Sequence, residues 1–154
     1  MYSSILTLHS LVRWLVLASL ILAISRSFFG WKSADSFSYR DNILRQTTVS
    51  IVHLQFLLGI TLYVISPIVA YFLDNFKDAL HIREFRFFGI EHITTMTLSV
   101  AFITVGSAKS KRKTTDKEKF RTMAIWFTVA LLLILFSIPW GLPFLVDRPY
   151  FRWF

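Results

Sequence analysis

The sequence predicts an all-α integral membrane protein, an up-down four-helix bundle with both termini outside. Of its 154 residues, 55% are hydrophobic and 17% are charged, whereas a soluble domain of average composition has about 25% charged residues. The mean hydropathy is +0.56. The apolar residues lie in four stretches, each long enough for the ~20-residue helix that crosses a hydrocarbon core. We therefore expect a single transmembrane domain over residues 1–154.

The four helices are expected at about 4–29, 45–72, 85–107 and 121–145. Helices are expected because a chain in lipid must satisfy its own backbone hydrogen bonds. The first stretch lacks a basic leader region and contains Arg13, so it does not resemble a cleavable signal peptide. Pro67 is expected to kink or end the second helix, which would leave a short interfacial helix over 68–82.

The charges between the apolar stretches predict the orientation in the membrane. The first connection carries four Arg or Lys against two Asp, a net charge of +2, and the third carries seven against two acidic residues, a net charge of +5. The second connection has three charges of each sign. Because cytoplasmic loops are enriched in Lys and Arg, the first and third connections are expected in the cytoplasm. Topology and anionic lipid thus account for the formal net charge of +8, and no nucleic-acid partner is expected.

The residue types present restrict the chemistry. The chain has no cysteine, which excludes disulfides, thiolate metal sites and iron–sulfur clusters. Its five glycines are scattered and form no phosphate-binding or dinucleotide motif. Histidine, present four times, is the strong nitrogen ligand that remains.

Polar and ionisable residues inside a bilayer are costly, so they are the first candidates for function. The predicted helices contain six of interest, which are His9, Arg13, His53, Gln55, Glu91 and His92.

Two of the histidines are expected at the same depth. His9 and His92 each follow shortly after a helix enters from the outer side, and the first and third helices of an up-down bundle lie diagonally across its core. Two imidazoles placed in this way suit the axial positions of a haem iron. His53 is expected deeper, ~20 Å from an outer boundary at Ser66.

The other candidates have several interpretations. Arg13 follows His9 on the same helical face, and its counter-charge would be Glu91 or a haem propionate. Glu91 would orient an imidazole or carry protons. His53 and Gln55 would serve a second haem, a quinone contact or a proton relay. A His and Glu metal centre is also chemically allowed, and polar residues that join helices are a common structural alternative.

The sequence also resembles a known group of proteins. The motifs that carry the resemblance are Leu8-His9-Ser10-Leu11-Val12-Arg13-Trp14, His53-Leu54-Gln55 with Gly59, Tyr63 and Ser66-Pro67, Glu91-His92 with Met96, and Ile138-Pro139-Trp140. These residues are similar to those of small four-helix inner-membrane proteins of Bacteroidetes bacteria, often labelled cytochrome b. The resemblance spans nearly the whole chain and implies haem b on His9, His92 or His53, with electron transfer in the bacterial inner membrane.

The leading hypothesis is therefore a b-type cytochrome that exchanges electrons with quinone or a respiratory partner. One alternative is a non-catalytic accessory or assembly subunit of a larger membrane complex, whose intramembrane polar residues are structural. Another is a quinone- or metal-binding membrane oxidoreductase without haem.

Overall fold

The computed structural model describes residues 1–140, which are almost entirely helical. The helices are α1 (Tyr2–Ser33), α2 (Tyr39–Ile65), α3 (Pro67–Asp74), α4 (Phe76–Ala79), α5 (Arg83–Arg86), α6 (His92–Lys111) and α7 (Asp116–Ser137), with a π-helical turn (Phe87–Glu91) between α5 and α6.

Four helical segments are long and apolar enough to cross a membrane. They are Tyr2–Ser33, Tyr39–Ile65, Arg83–Lys111 and Asp116–Ser137. The predicted all-α four-helix membrane architecture is thus confirmed, and the chain is a multi-pass membrane protein.

The packing order of the four long helices is that of an up-down bundle. Helix α1 packs against α2 and α7, and α6 packs against the same two neighbours. Helices α1 and α6 therefore lie diagonally opposite each other, as predicted. Small residues allow close approach at the crossings, because Gly30 packs on the ring of Phe120 and Gly106 packs on Trp126.

Local hydrogen bonds set several helix boundaries. Ser38 accepts a bond from the backbone N–H of Asp41, and the Asp41 carboxylate accepts one from the backbone N–H of Ser38, so this pair forms a capping box at the start of α2. Ser66 and Thr115 cap α3 and α7 in a similar way. Pro67 occupies the first turn of α3, where its missing N–H costs no helical hydrogen bond.

The second helix differs from its predicted range of 45–72. It begins six residues earlier, at the capping box, and it ends at Ile65. Ser66 has an extended backbone, and Pro67 begins a new helix, so the break expected at the proline is complete. The segment predicted as one interfacial helix over 68–82 contains two short helices, α3 and α4. The predicted end of the fourth helix, near residue 145, lies outside the described residues.

Candidate cofactor site

A cavity lies in the half of the bundle where α1 begins and α2 ends. It has a volume of about 180 Å³ and is lined by residues of α1, α2, α3, α6 and α7. Most of the lining is apolar, and it includes six larger polar side chains, which are Tyr2, His9, Arg13, Gln55, Tyr63 and His92. A largely apolar pocket with a few convergent polar groups is typical of a ligand or cofactor site.

The two histidines expected at matched depth come together in this cavity. The ring centroids of His9 and His92 lie 6.5 Å apart, and the ring planes meet at 71°. A metal ion held between two imidazoles by bonds of ~2 Å places the ring centroids roughly 6 Å apart. The separation therefore matches that of a pair of axial ligands, and the two residues lie on the diagonal helices α1 and α6.

The orientation of His92 is set by the fourth helix. Its Nδ1 lies 3.0 Å from the carbonyl oxygen of Ser137 and 3.2 Å from the hydroxyl of the same residue. Because a carbonyl oxygen only accepts hydrogen bonds, Nδ1 carries the proton in the neutral ring, and Nε2 keeps its lone pair. Metal-ligating histidines commonly use this arrangement, in which the second ring nitrogen donates to a backbone carbonyl.

The aromatic rings before His92 support the same orientation. Phe87 and Phe88 place their ring centroids 5.6 and 6.2 Å from that of His92. Phe87 is buried, so it fills the space beside the imidazole and restricts its rotation.

His9 is positioned by the second helix. The Gln55 side-chain amide donates to the backbone carbonyl of His9 over 2.9 Å, which ties α1 to α2. Gly59 provides room for the imidazole, because a Cβ at this position would lie 3.3 Å from Cε1 of His9. Within residues 1–140, the buried Nδ1 of His9 and Oε1 of Gln55 have no hydrogen-bond partner. A buried polar atom without a partner is costly, and a ligand in the cavity would offset that cost.

A π-helical turn precedes His92 and is supported from two sides. The Tyr63 hydroxyl donates to the carbonyl of Gly89 over 2.9 Å, and the ring of Phe72 packs directly on Gly89. Single π turns inside helices are rare and frequent at functional sites. Here the turn links α3 to the start of α6, so the packing of the short helix affects where His92 lies.

The structure does not bring Glu91 together with Arg13, one of the two counter-charges expected for it. The Glu91 carboxylate is exposed and pairs with Nε of Arg86 over 2.6 Å, and Glu91 does not line the cavity. The π turn explains the difference, because i and i+5 residues come close together in a π-helix. In a regular α-helix the two side chains would lie ~140° apart around the axis.

Arg13 itself lies where the sequence predicts. It lines the cavity, one helical turn after His9, and its guanidinium lies 5.5 Å from the ring centroid of Trp14. The cavity therefore contains a cationic side chain on the same helix as one of the two imidazoles.

His53 does not belong to this site. It is exposed on the outside of the bundle and bonds through Nε2 to the hydroxyl of Thr104 over 2.9 Å. Its sequence neighbour Val52 lines the cavity instead. The structure therefore does not bring His53 together with His9 and His92, and Gln55 reaches the cavity without it.

The polar side chains of the cavity fit a haem better than the alternative metal centre of His and Glu ligands. The described residues contain no group of three or more His, Asp or Glu close enough to hold a metal ion, so the His and Glu centre is not formed there. Two apposed imidazoles, one of them oriented by a carbonyl, fit a haem, which needs two axial ligands. The enclosed volume is below the ~300–1,000 Å³ of pockets that surround a whole ligand, so a haem centred here would extend beyond it.

Sequence reasoning missed the contributions of two residues. Ser137 orients His92 mainly through its backbone carbonyl, a role that any residue type can fill and that leaves no sequence signal. Gly59 acts through the absence of a side chain opposite His9. One sequence signal for Gly59 was present. Gln55 and Gly59 have the i, i+4 spacing, which places both on one face of α2.

Comparison of the chain with protein-family models, curated proteins and solved structures gives no match. The fold and the cavity define a multi-pass α-helical membrane protein with two apposed intramembrane histidines.

Proposed function

We propose that the protein is a b-type cytochrome-like electron-transfer protein of the bacterial inner membrane, in which His9 and His92 are the axial ligands of haem b. The observation that carries the proposal is the 6.5 Å separation of the two imidazole centroids across an apolar cavity. The electron partner would be a membrane quinone or a respiratory complex.

The residues of the chain have distinct tasks in this proposal. The Ser137 carbonyl fixes the ring of His92 with Nε2 unprotonated, as an axial ligand requires. Gln55 and Gly59 hold His9 and leave space for its ring. Arg13 supplies positive charge in the cavity for an acidic substituent such as a propionate.

When bound, the haem would supply one-electron chemistry at its iron, with a potential tuned by the two imidazoles and their surroundings. The largely apolar lining from five helices surrounds the imidazole pair with side chains of low polarity.

The experiment that tests the proposal is the absorption spectrum of the protein purified after expression with haem supplied. The wild type is expected to show a Soret band and reduced α-bands, and His9→Ala or His92→Ala should abolish low-spin bis-imidazole features. His81→Ala is the matched control, because His81 is exposed and lies in the connection between α4 and α5. The proposal would be overturned if folded wild-type protein, purified from cells supplied with haem, showed no Soret band.

The non-catalytic alternative is favoured by a different observation, the way in which polar residues join helices. Gln55 links α2 to α1, His53 links α2 to α6, and His92 links α6 to α7. If the protein is purely structural, the wild type should contain no pigment. His92→Ala should then lower the stability of the bundle without any loss of pigment. Co-purification with a larger membrane complex would favour the same alternative.

A further inference from the structure

His53 is a polar residue at the centre of a membrane-spanning helix, and its side chain faces outward. It lies fourteen residues after Tyr39 and twelve before Ile65, the two ends of α2, which places it about 20 Å from either end. The side chain is exposed on the surface of the bundle. An ionisable residue in this position is expensive and requires an explanation.

The hydrogen bonds of Thr104 determine the proton position on the imidazole. The Thr104 hydroxyl donates to the carbonyl of Val100 over 2.8 Å, and a hydroxyl has one proton to donate. The contact of 2.9 Å between this hydroxyl and Nε2 of His53 therefore has the imidazole as the donor. In the neutral ring, Nε2 carries the proton and Nδ1 is left as an acceptor.

Nδ1 of His53 has no donor within residues 1–140, since the contact to Thr104 is the side-chain hydrogen bond that the imidazole makes there. His53 lies eight residues, or about 12 Å, beyond Arg45, the last charged residue of α2, so its imidazole faces acyl chains in the apolar part of the helix rather than bulk water. An unsatisfied polar atom in such a medium is costly. A donor that is itself soluble in lipid would remove this cost.

The surface around the pair carries small and aliphatic side chains. Ala101 and Ala108 lie about one turn on either side of Thr104 and are exposed. On α2, Leu54 and Leu57 are exposed beside and one turn beyond His53. The polar pair is therefore surrounded by small and aliphatic side chains, which suits a lipophilic ligand with a hydroxyl on a planar ring.

We infer that His53 and Thr104 form a docking site on the lipid-facing side of α2 and α6 for the headgroup of a membrane quinol, whose hydroxyl donates to Nδ1 of His53. The choice of a redox-active ligand rests on the proposed function, because an electron-transfer protein requires such a partner. The site is separate from the cavity of His9 and His92. Because Nδ1 of His53 is an acceptor, it should bind a quinol, which has hydroxyl donors, more tightly than a quinone, which has none.

The test is equilibrium binding of decylubiquinol to the purified full-length chain in lipid nanodiscs under anaerobic conditions. We expect wild type to bind decylubiquinol about fivefold more tightly than His53→Leu, the change expected from one hydrogen bond. Decylubiquinone should bind wild type about as weakly as decylubiquinol binds His53→Leu. His53→Gln should retain binding, because its amide can donate to Thr104 and its carbonyl can accept from the ligand.

The matched control is Thr97→Val. Thr97 is an exposed threonine on the same helix that bonds to the carbonyl of Ile93, and its replacement should leave decylubiquinol affinity unchanged. Equal affinity of wild type and His53→Leu would overturn the inference, as would equal affinity for the reduced and oxidised ligands. Loss of a co-purifying membrane protein from His53→Leu, with decylubiquinol affinity unaltered, would assign the surface to a protein partner and also overturn it.

The absorption spectrum separates this result from the test of the proposed function. His53→Leu should retain the haem spectrum of wild type, because His53 lies outside the cavity. A wild type without a Soret band that still discriminates decylubiquinol from decylubiquinone would overturn the cytochrome proposal and leave the docking site intact.

Discussion

Replacement of Gly89 by alanine should destabilise the bundle at the turn before His92. An added Cβ would lie 2.8 Å from Cδ2 of Phe72 and closer still to two other ring atoms, whereas non-bonded carbons prefer ~3.5–4.0 Å. The Phe72 ring is only 1% exposed, so it cannot turn away into lipid. Overpacking of a buried site costs about 2 kcal/mol, roughly a 30-fold change in the ratio of folded to unfolded protein.

The free energy of unfolding can be measured by SDS titration in mixed micelles, followed by far-ultraviolet circular dichroism. Gly59→Ala is the comparison, because its Cβ would make a milder contact of 3.3 Å with Cε1 of His9 and should cost less. Phe72→Leu combined with Gly89→Ala should be more stable than the sum of the single effects predicts, because the smaller side chain relieves the overlap. Wild-type stability of Gly89→Ala, or strict additivity in the double variant, would refute this reasoning.

Two further predictions concern the opposite end of the bundle and the topology. Asp41→Asn should lower the free energy of unfolding by about 2 kcal/mol, because it removes the negative charge that binds Arg26 over 2.7 Å and one of the two acceptor oxygens of a residue that is 5% exposed. Asp35→Asn should cost less than ~1 kcal/mol, since its side chain is 41% exposed; equal losses in the same SDS titration would contradict this. Because the chain has no cysteine, Thr114→Cys and Asp78→Cys each introduce a single thiol, and a membrane-impermeant maleimide added to intact cells should label Asp78→Cys and not Thr114→Cys. The reverse labelling pattern would show that the charge rule assigns the wrong orientation.

The architecture could be predicted because it depends on properties that are local in the sequence. Hydrophobic length determines how many helices span the membrane, and short connections place α1 and α6 diagonally. The approach of His9 to His92 follows from these two facts and from counting residues along each helix. No knowledge of side-chain packing was needed to bring the two imidazoles together.

The direction in which His53 faces could not be obtained in the same way. Depth follows from counting, but the facing direction depends on the rotation of a helix about its axis. Near His53, α2 has apolar side chains on both its exposed and its buried faces, because Leu54 and Leu57 are exposed while Val52 is buried. A helix that is hydrophobic on all sides gives no periodic signal for its buried face.

The ion-pair partner of Glu91 depends on a change from α-helix to π-helix that the sequence does not predict. With α-helical spacing, Glu91 and Arg86 point in different directions, and Arg13 becomes a reasonable counter-charge. The π turn alters that geometry and creates the pair over 2.6 Å. The turn is stabilised by tertiary contacts from Tyr63 and Phe72, which residue spacing alone does not reveal.

The π turn also changes how the segment before His92 responds to a change in its length. A π turn is equivalent to an α-helical turn with one additional residue. Deleting Ile90 would therefore restore a continuous α-helix in which the side chains before and after the turn keep nearly the same angular relation. Arg86 and Glu91, now paired across the turn, would have the i, i+4 spacing and would stay close. A one-residue deletion here should leave His92 facing the cavity, whereas a one-residue deletion from a regular α-helical turn would rotate it by ~100°.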